Sequence, residues 1–151
     1  MQFSEAHLNH ASRYFPLVGL LLGTLAAALY WLLEPLLPLP LTLLLCTLFT
    51  ILLTGGFHED GLADVCDGFG GGWTPEQTLG IMKDSRLGSY GALGLLLALA
   101  FRLTALLYVP DVLIALLLGH TLSRFLAVSL IYSETYVQQD RLSKAKPWPV
   151  A

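Results

Sequence analysis

Four carboxylates lie close together in one glycine-bounded stretch of the chain, residues 55–72, which read GGFHEDGLADVCDGFGGG. If residues 60–67 are helical, Asp60, Asp64 and Asp67 fall within an arc of about 60°, because successive helical residues are about 100° apart. Carboxylates stacked on one helical face repel one another unless a cation compensates. Mg²⁺ suits this pattern because it binds one or two carboxylates, keeps several waters and shares its shell with substrate phosphates. The spacing therefore predicts a magnesium site for a phosphate-containing ligand, and a hydrophilic connector is the alternative.

A second polar segment follows at residues 74–88, which read TPEQTLGIMKDSRLG. Thr74, Pro75 and Gln77 are typical of a helix start with a capping box. Between the two segments lie the glycines of GFGGG, residues 68–72. Because glycine adopts positive φ angles easily, these residues are predicted to form a flexible elbow that lets the second segment fold back towards the acidic one.

Side chains near the end of the second segment can extend the site. Asp84 can complete the carboxylate set, and Lys83 and Arg86 can bind phosphate oxygens. His58 points about 160° away from Asp60 on a continuous helix. It is therefore either a group behind the metal ligands or a residue of the membrane interface, and both interpretations stay open.

The remainder of the chain is strongly apolar, with 55% hydrophobic and 13% charged residues and a mean hydropathy of +0.66. Soluble domains carry about 25% charged residues. Four stretches approach the roughly 20 apolar residues that cross a bilayer, namely 15–33, 39–57, 91–109 and 112–132. The fold class predicted is all-α: one integral membrane domain over residues 1–151, with four spans in two hairpins and an acidic, glycine-rich loop 58–90 with a short amphipathic helix between them.

Basic residues indicate the orientation of the spans. Six of the eight Lys and Arg residues lie before the first span, in the loop 58–90 or after the fourth span, and none lies in a hairpin turn. By the positive-inside rule, the N-terminus, the loop 58–90 and the tail 134–151 face the cytoplasm. The net charge of −3 gives no basic surface for nucleic acid. The two cysteines, Cys46 and Cys66, have no metal-binding spacing, and Cys66 is interpreted as a small filler.

Two arginines, Arg102 and Arg124, lie within predicted spans. A charge at such depth costs at least about 2.5 kcal/mol, so it usually faces the bundle interior and has a function. Both are predicted to line a cavity that opens towards the acidic stretch, where they would bind anionic substrate groups or orient the aspartates. The alternative is a structural or snorkelling arginine. His120, one turn from Arg124, is interpreted as a packed polar residue.

The motifs LTGGFHEDGLADVCDGFGGG and IMKDSRLGSYG, with FPLVG in the first span and the later SRF and LSKAKP, resemble the cobalamin synthase family, adenosylcobinamide-GDP ribazoletransferase. The resemblance runs in order along nearly the whole chain. It implies an integral enzyme of the bacterial inner membrane that joins adenosylcobinamide-GDP to α-ribazole or its 5′-phosphate. The reaction releases GMP, needs Mg²⁺ and is the last assembly step of cobalamin biosynthesis. Family members continue beyond KAKPWPVA into further hydrophobic segments, so this chain is expected to be the front part of such an enzyme.

The resemblance also implies roles for single residues. Its acidic motif falls on His58, Asp60, Gly61, Asp64, Asp67 and Gly68, and its second motif falls on Lys83, Asp84, Ser85, Arg86 and Gly88. The four aspartates are the expected catalytic metal ligands, and Lys83 and Arg86 are expected to stabilise charge on the departing nucleotide. The expected substrate-binding residues are His58, Gly61, Gly68, Ser85, Arg102 and Arg124. No role is implied for Glu59.

Three other functions remain as alternatives. A CDP-alcohol phosphatidyltransferase uses a similar acid-and-glycine motif, but its last two aspartates are four residues apart, whereas the fourth acid here lies in MKDSR. A divalent-cation carrier would need acidic groups at mid-bilayer. The chain could also be an inactive fragment or accessory subunit. The expected partners are the corrinoid nucleotide, α-ribazole and the lipid bilayer, and self-association into a homo-oligomer is left open.

Overall fold

The computed structural model describes residues 12–133, and this part of the chain consists of helices without any strand. The helices are α1 (Phe15–Leu33), α2 (Leu39–Thr54), α3 (Phe57–Gly71), α4 (Pro75–Met82), α5 (Ser89–Tyr108) and α6 (Val112–Ser133). The all-α fold class predicted from the apolar stretches is confirmed. The tail 134–151, with its LSKAKP motif, lies outside the described residues.

Three helices, α1, α5 and α6, are long and apolar enough to cross a membrane, and they coincide with three of the predicted spans. Many of their large apolar side chains are exposed, as Leu21, Phe101 and Leu126 illustrate. Apolar surface of this extent is unstable in water and is characteristic of helices that face lipid. The chain is therefore a membrane protein.

The second predicted span, 39–57, has a different form from the other three. Helix α2 has 16 residues and measures about 24 Å at 1.5 Å per residue, whereas the hydrocarbon core is about 30 Å thick. Helices α2 and α3 together pass the same test of length and composition, but their axes are bent by 88°. The predicted loop 58–90 thus begins with a helix that continues α2 around a bend.

Two glycines, Gly55 and Gly56, make this bend. Their φ angles are +66° and +68°, which L-residues with a side chain rarely adopt. A Cβ atom at either position would meet no atom within 4 Å, so the backbone conformation, and not lack of space, requires glycine here. Gly55 is the C-cap residue of α2 and Gly56 is the N-cap residue of α3, so the two glycines separate these helices.

A Gly55→Ala variant is expected to lower the free energy of unfolding by about 1 kcal/mol, because a Cβ atom disfavours the left-handed conformation by about that amount. The matched control is Gly80→Ala in α4, where no positive φ occurs and no atom lies within 4 Å. The control should be neutral or stabilising by up to about 1 kcal/mol. Unfolding by SDS titration in mixed micelles measures both, and equal stability of Gly55→Ala and the parent chain would contradict the conformational argument.

One compact unit, Leu29–Val112, contains the acidic helix α3, which packs against α5, α4 and α2. Glycines allow α3 to lie close to these helices. A Cβ atom on Gly70 would collide with the ring of Tyr90 in α5, and one on Gly68 would collide with Met82 in α4. The prediction that residues 68–72 form a flexible elbow is wrong. Residues 68–71 continue α3 as helix without a positive φ, and what these glycines supply is room for neighbouring helices.

Within the described residues, the second unit comprises residues 12–28 and 113–133, and in it α1 contacts α6. A Cβ atom on Gly19 would collide with the carbonyl oxygen of His120, and one on Gly23 would lie 2.9 Å from the Cα atom of Leu117. Two glycines four residues apart on a membrane helix allow such backbone approach. The sequence reasoning had not used this spacing.

Candidate active site

The acidic segment, predicted to lie in the loop 58–90, is helical, and this is the condition under which its aspartates were expected to share a face. Asp60 and Asp64 lie one turn apart on α3, where Asp60 is exposed and Asp64 is half-buried. Glu59 and Asp60 belong to the first turn of α3, where the partial positive charge of the helix N-terminus stabilises carboxylates. Asp60 and Asp64 are thus neighbouring carboxylates on α3 that a ligand can reach.

A cavity of about 660 Å³ lies where α2 meets α3. Its lining consists of Thr54, Gly55, Gly56, Phe57, Glu59, Asp60, Ala63, Leu87 and Leu95. Carboxylates thus form one part of the wall, and leucines from the start of α5 and the turn before it form another. An acidic pocket with apolar neighbours can hold a charged ligand that also carries an apolar group.

Glu59 is the residue of this cavity that sequence reasoning missed. Its Oε2 atom is buried, and no hydrogen-bond partner for it exists among the described residues. A buried carboxylate oxygen without a partner is costly, so it marks a place where a donor or cation would stabilise the fold. Helical phase offered no signal for it, because Glu59 lies about 100° from Asp60, away from the arc of the aspartates.

Arg102 on α5 is half-buried and donates a hydrogen bond to the Thr50 hydroxyl oxygen of α2 at 3.4 Å. Arg102 therefore lies within the unit that holds the acids and contacts α2. Its predicted binding of an anionic substrate group stays a prediction.

Asp67, the third predicted metal ligand, is engaged by the backbone. Its Oδ2 atom accepts the N–H of Gly88 at 2.7 Å, and its Oδ1 atom accepts the N–H of Gly91 at 2.8 Å. Gly88 is the N-cap residue of α5, so a side chain from α3 satisfies backbone donors at the start of another helix. This contact joins the acidic helix to the end of the second motif.

The second motif forms the end of α4 and the turn that follows. The Thr74 hydroxyl accepts the N–H of Gln77 at 3.3 Å, which confirms the predicted cap. Exposed Lys83 ends the helix. Arg86 pairs with Asp84, with a shortest N–O distance of 2.6 Å, and the Arg86 backbone N–H also donates to Asp84.

The ion pair with Arg86 shifts the pKa of the Asp84 carboxyl group. Hydrogen bonds from the side chain and backbone of Arg86 hold the pKa of Asp84 below its ordinary value. Asp84 therefore stays ionised as the pH falls below the range in which a free carboxylate takes up a proton. The Arg86 side chain is 87% accessible, and an exposed ion pair is weak, so a phosphate group can compete with Asp84 for this guanidinium.

The two motifs meet at a second cavity of about 440 Å³. Asp67 and Gly71 of α3 line it together with Asp84 and Arg86 of the second motif. The structure therefore brings the acidic helix and the KDSR turn together, as predicted, although a close helix packing and not a flexible elbow is responsible.

Within residues 12–133, no three His, Cys, Asp or Glu side chains lie close enough together to hold a metal ion. The four predicted ligands, Asp60, Asp64, Asp67 and Asp84, are thus not assembled into one cage. Asp60 and Asp64 nevertheless suit Mg²⁺, which binds through one or two carboxylates and completes its shell with water and substrate phosphates. The magnesium assignment stays a prediction.

The other predicted substrate-binding residues have varied surroundings. The rings of His58 and Phe57 lie edge to face, with 5.7 Å between their centroids. Ser85 is exposed. A Cβ atom on Gly61 would have no other atom within 4 Å. Gly68 is buried in the contact with α4. Their predicted roles are untested by these positions.

Arg124 belongs to the other unit. It is buried, and its guanidinium donates to the carbonyl oxygen of His120 at 3.2 Å. One guanidinium nitrogen also lies 3.4 Å from the His120 ring. These contacts are those of a packed, structural arginine, the alternative considered from the sequence, while its predicted substrate contact stays a prediction.

Comparisons with known proteins agree with the motifs. A model of the cobalamin-5-phosphate synthase family matches residues 1–149. Proteins named adenosylcobinamide-GDP ribazoletransferase from Shewanella baltica and Shewanella oneidensis are each 58% identical over 145 residues, which cover 93% of this chain and 55% of the relative. A protein of the same name from Shewanella frigidimarina is 57% identical over 93% of the chain and 56% of its own length. The chain thus spans about half the length of the curated relatives it matches, and no solved structure matches it significantly.

Proposed function

The chain belongs to the cobalamin-5-phosphate synthase family, and on that premise we propose that it supplies the diphosphate-binding part of a membrane-embedded adenosylcobinamide-GDP ribazoletransferase. In the proposed reaction, a hydroxyl group of α-ribazole or its 5′-phosphate attacks the phosphorus on the cobinamide side of the diphosphate. A new phosphorus–oxygen bond forms to the ribazole, the bond to GMP breaks, and the hydroxyl proton leaves.

One observation supports this function above the others: residues of both sequence motifs line the same cavity, with Asp67 from the acidic helix and Asp84 and Arg86 from the KDSR turn. Phosphoryl transfer depends on positioning and on neutralising charge more than on covalent participation of the protein. An acidic helix whose Asp60 and Asp64 can hold a cation, beside a turn whose Arg86 can hold phosphate, is suited to that task.

The proposed roles follow from exposure and position. Asp60 and Asp64 hold Mg²⁺, which when bound would neutralise charge on the diphosphate oxygens. Arg86 exchanges Asp84 for a phosphate oxygen of the departing nucleotide, and exposed Lys83 assists it. An aspartate of α3 accepts the proton of the attacking hydroxyl.

Location in the bacterial inner membrane, with the site on the cytoplasmic side, belongs to the same proposal. It is supported by the positions of Lys83 and Arg86 between the second and third apolar segments, because basic residues concentrate on the cytoplasmic side.

The proposal predicts Mg²⁺-dependent release of GMP when adenosylcobinamide-GDP and α-ribazole are added together to proteoliposomes containing the protein. Replacing Mg²⁺ by EDTA should lower the rate at least about 100-fold, because charge on the leaving group is then uncompensated. Chromatography of the corrinoid and nucleotide products measures the reaction. CDP-diacylglycerol with an alcohol acceptor serves as the rival substrate pair, and turnover of that pair alone would refute the proposal.

A fusion separates a defect of this site from a need for more chain. Residues 1–151 are assayed alone and also continued with the C-terminal remainder of the Shewanella oneidensis relative. Activity of the fusion at a rate within about tenfold of the relative's own rate supports the site built by this chain. An inactive fusion, alongside an active relative, counts against it.

A further inference from the structure

We propose that Asp67 is a positioning residue, whose carboxylate holds the KDSR turn and the start of α5 against the acidic helix by accepting the N–H groups of Gly88 and Gly91. This inference rests on the proposed function for its catalytic meaning. It assigns Asp67 a task other than the metal ligation expected from the sequence.

The geometry is that of a cap supplied from a distant helix. Each carboxylate oxygen of Asp67 accepts one backbone N–H, from Gly88 at 2.7 Å and from Gly91 at 2.8 Å. The donors lie 21 and 24 residues further along the chain. Since a carboxylate is stabilised by the positive end of a helix dipole and charge-assisted hydrogen bonds are the strong ones, this contact ties α3 firmly to α5.

Glycine at positions 88 and 91 makes room for this contact. A Cβ atom at either position would collide with a carboxylate oxygen of Asp67, and one at position 91 would also lie 2.9 Å from the backbone carbonyl oxygen of Ala63. Neither residue has a positive φ, so the requirement is steric and differs from that at Gly55 and Gly56. The carboxylate of Asp67 can therefore accept both N–H groups only because positions 88 and 91 carry no side chain.

The hydrogen bonds of Asp67 also affect the position of the second motif, because Gly88 is the last residue of that motif. Gly88 follows Arg86 by two residues, and Asp67 lines the same cavity as Asp84 and Arg86. Fixing Gly88 therefore limits where Arg86 can reach. With both oxygens engaged by N–H groups, Asp67 is less available for a cation than Asp60, which is exposed, or Asp64.

Two measurements on the chain of residues 1–151 in nanodiscs test the inference. The first is Mn²⁺ binding, read from the free-ion signal in electron paramagnetic resonance, with Mn²⁺ as the probe of the carboxylate site. The second is amide hydrogen exchange of the peptide 86–95, which contains both donors. Asp64→Asn is the matched control, because it neutralises a carboxylate one turn away on the same helix.

Opposite patterns are expected for the two positions. Asp67→Ala should speed exchange at residues 88–91 by about tenfold, as expected for a lost cap, and Asp67→Asn should speed it less because its amide oxygen still accepts one N–H. Both should leave Mn²⁺ affinity within about twofold. Asp64→Asn should weaken Mn²⁺ binding at least about tenfold and leave exchange unchanged.

In the active fusion, Gly91→Ala provides a test that leaves every charge in place. It should lower kcat about tenfold or more, because a small misplacement of catalytic groups is enough, while the Mg²⁺ concentration for half-maximal rate stays constant. A raised Mg²⁺ requirement in Asp67→Asn, or unchanged exchange at residues 88–91 in Asp67→Ala, would overturn the inference. If Asp64→Asn binds Mn²⁺ normally while exchange changes as expected in the Asp67 variants, the metal proposal fails and the tie between α3 and α5 stands.

Discussion

Replacing Asp64 with asparagine is expected to lower the transfer rate at least about 10³-fold, a loss of about 4 kcal/mol of transition-state stabilisation. Asparagine has the shape of aspartate but no charge, and it is a poor ligand for a hard cation. Asp64 is half-buried and one turn from exposed Asp60, so its loss leaves a single carboxylate on that face of α3. One carboxylate cannot compensate a diphosphate-bound cation as two can.

The control for this experiment is Glu76→Gln, which removes a carboxylate from the neighbouring helix. Glu76 lies in the first turn of α4, where its own backbone N–H and the Thr74 hydroxyl lower its pKa, and it lines neither described cavity. The rate of this variant should stay within about twofold of the parent. Initial rates are measured in the active fusion across a Mg²⁺ titration, with membrane content checked by fractionation. A rate of Asp64→Asn equal to that of Glu76→Gln would remove the metal assignment.

Most of what could be predicted of the fold came from the length of the apolar runs in the sequence. Helices α1, α5 and α6 begin and end within two residues of the predicted spans, because a bilayer of fixed thickness demands uninterrupted apolar runs of fixed length. The acidic stretch was treated as helical only as a condition for interpreting the spacing of its aspartates, and the structure shows that helix as α3. These patterns do not define how one helix is oriented relative to another. Neither the 88° bend between α2 and α3 nor the side of α3 that packs against α5 could therefore be predicted.

The glycines show why local reasoning stops there. Glycine was interpreted from conformational freedom alone, which is right at Gly55 and Gly56, where φ is positive. At Gly68 and Gly70 the missing side chain makes room for Met82 and Tyr90, and that need arises only when another helix is present. Asp67 is similar, because its donors are Gly91 of α5 and the N-cap residue Gly88. Helical phase places a carboxylate on one face of a helix but does not identify its partner.

Replacing Gly19 with leucine is expected to lower the free energy of unfolding by about 2–3 kcal/mol, near the upper end of the cost of overpacking. A Cβ atom at this position collides with the carbonyl oxygen of His120 and lies 3.0 Å from Cδ of buried Arg124. Backbone cannot move aside as a flexible side chain can, so α1 and α6 must separate. Separation also exposes the Arg124 guanidinium to lipid, which adds to the cost.

The control for Gly19→Leu is Gly119→Leu, which adds the same side chain to α6, where no atom lies within 4 Å of the new Cβ. Both substitutions raise the apolar character of a membrane helix equally, so insertion into the bilayer is favoured in both. Only packing distinguishes them, and Gly119→Leu should change stability by less than about 0.5 kcal/mol. SDS titration in mixed micelles compares the two, and equal midpoints would mean that close contact between α1 and α6 does not stabilise the chain.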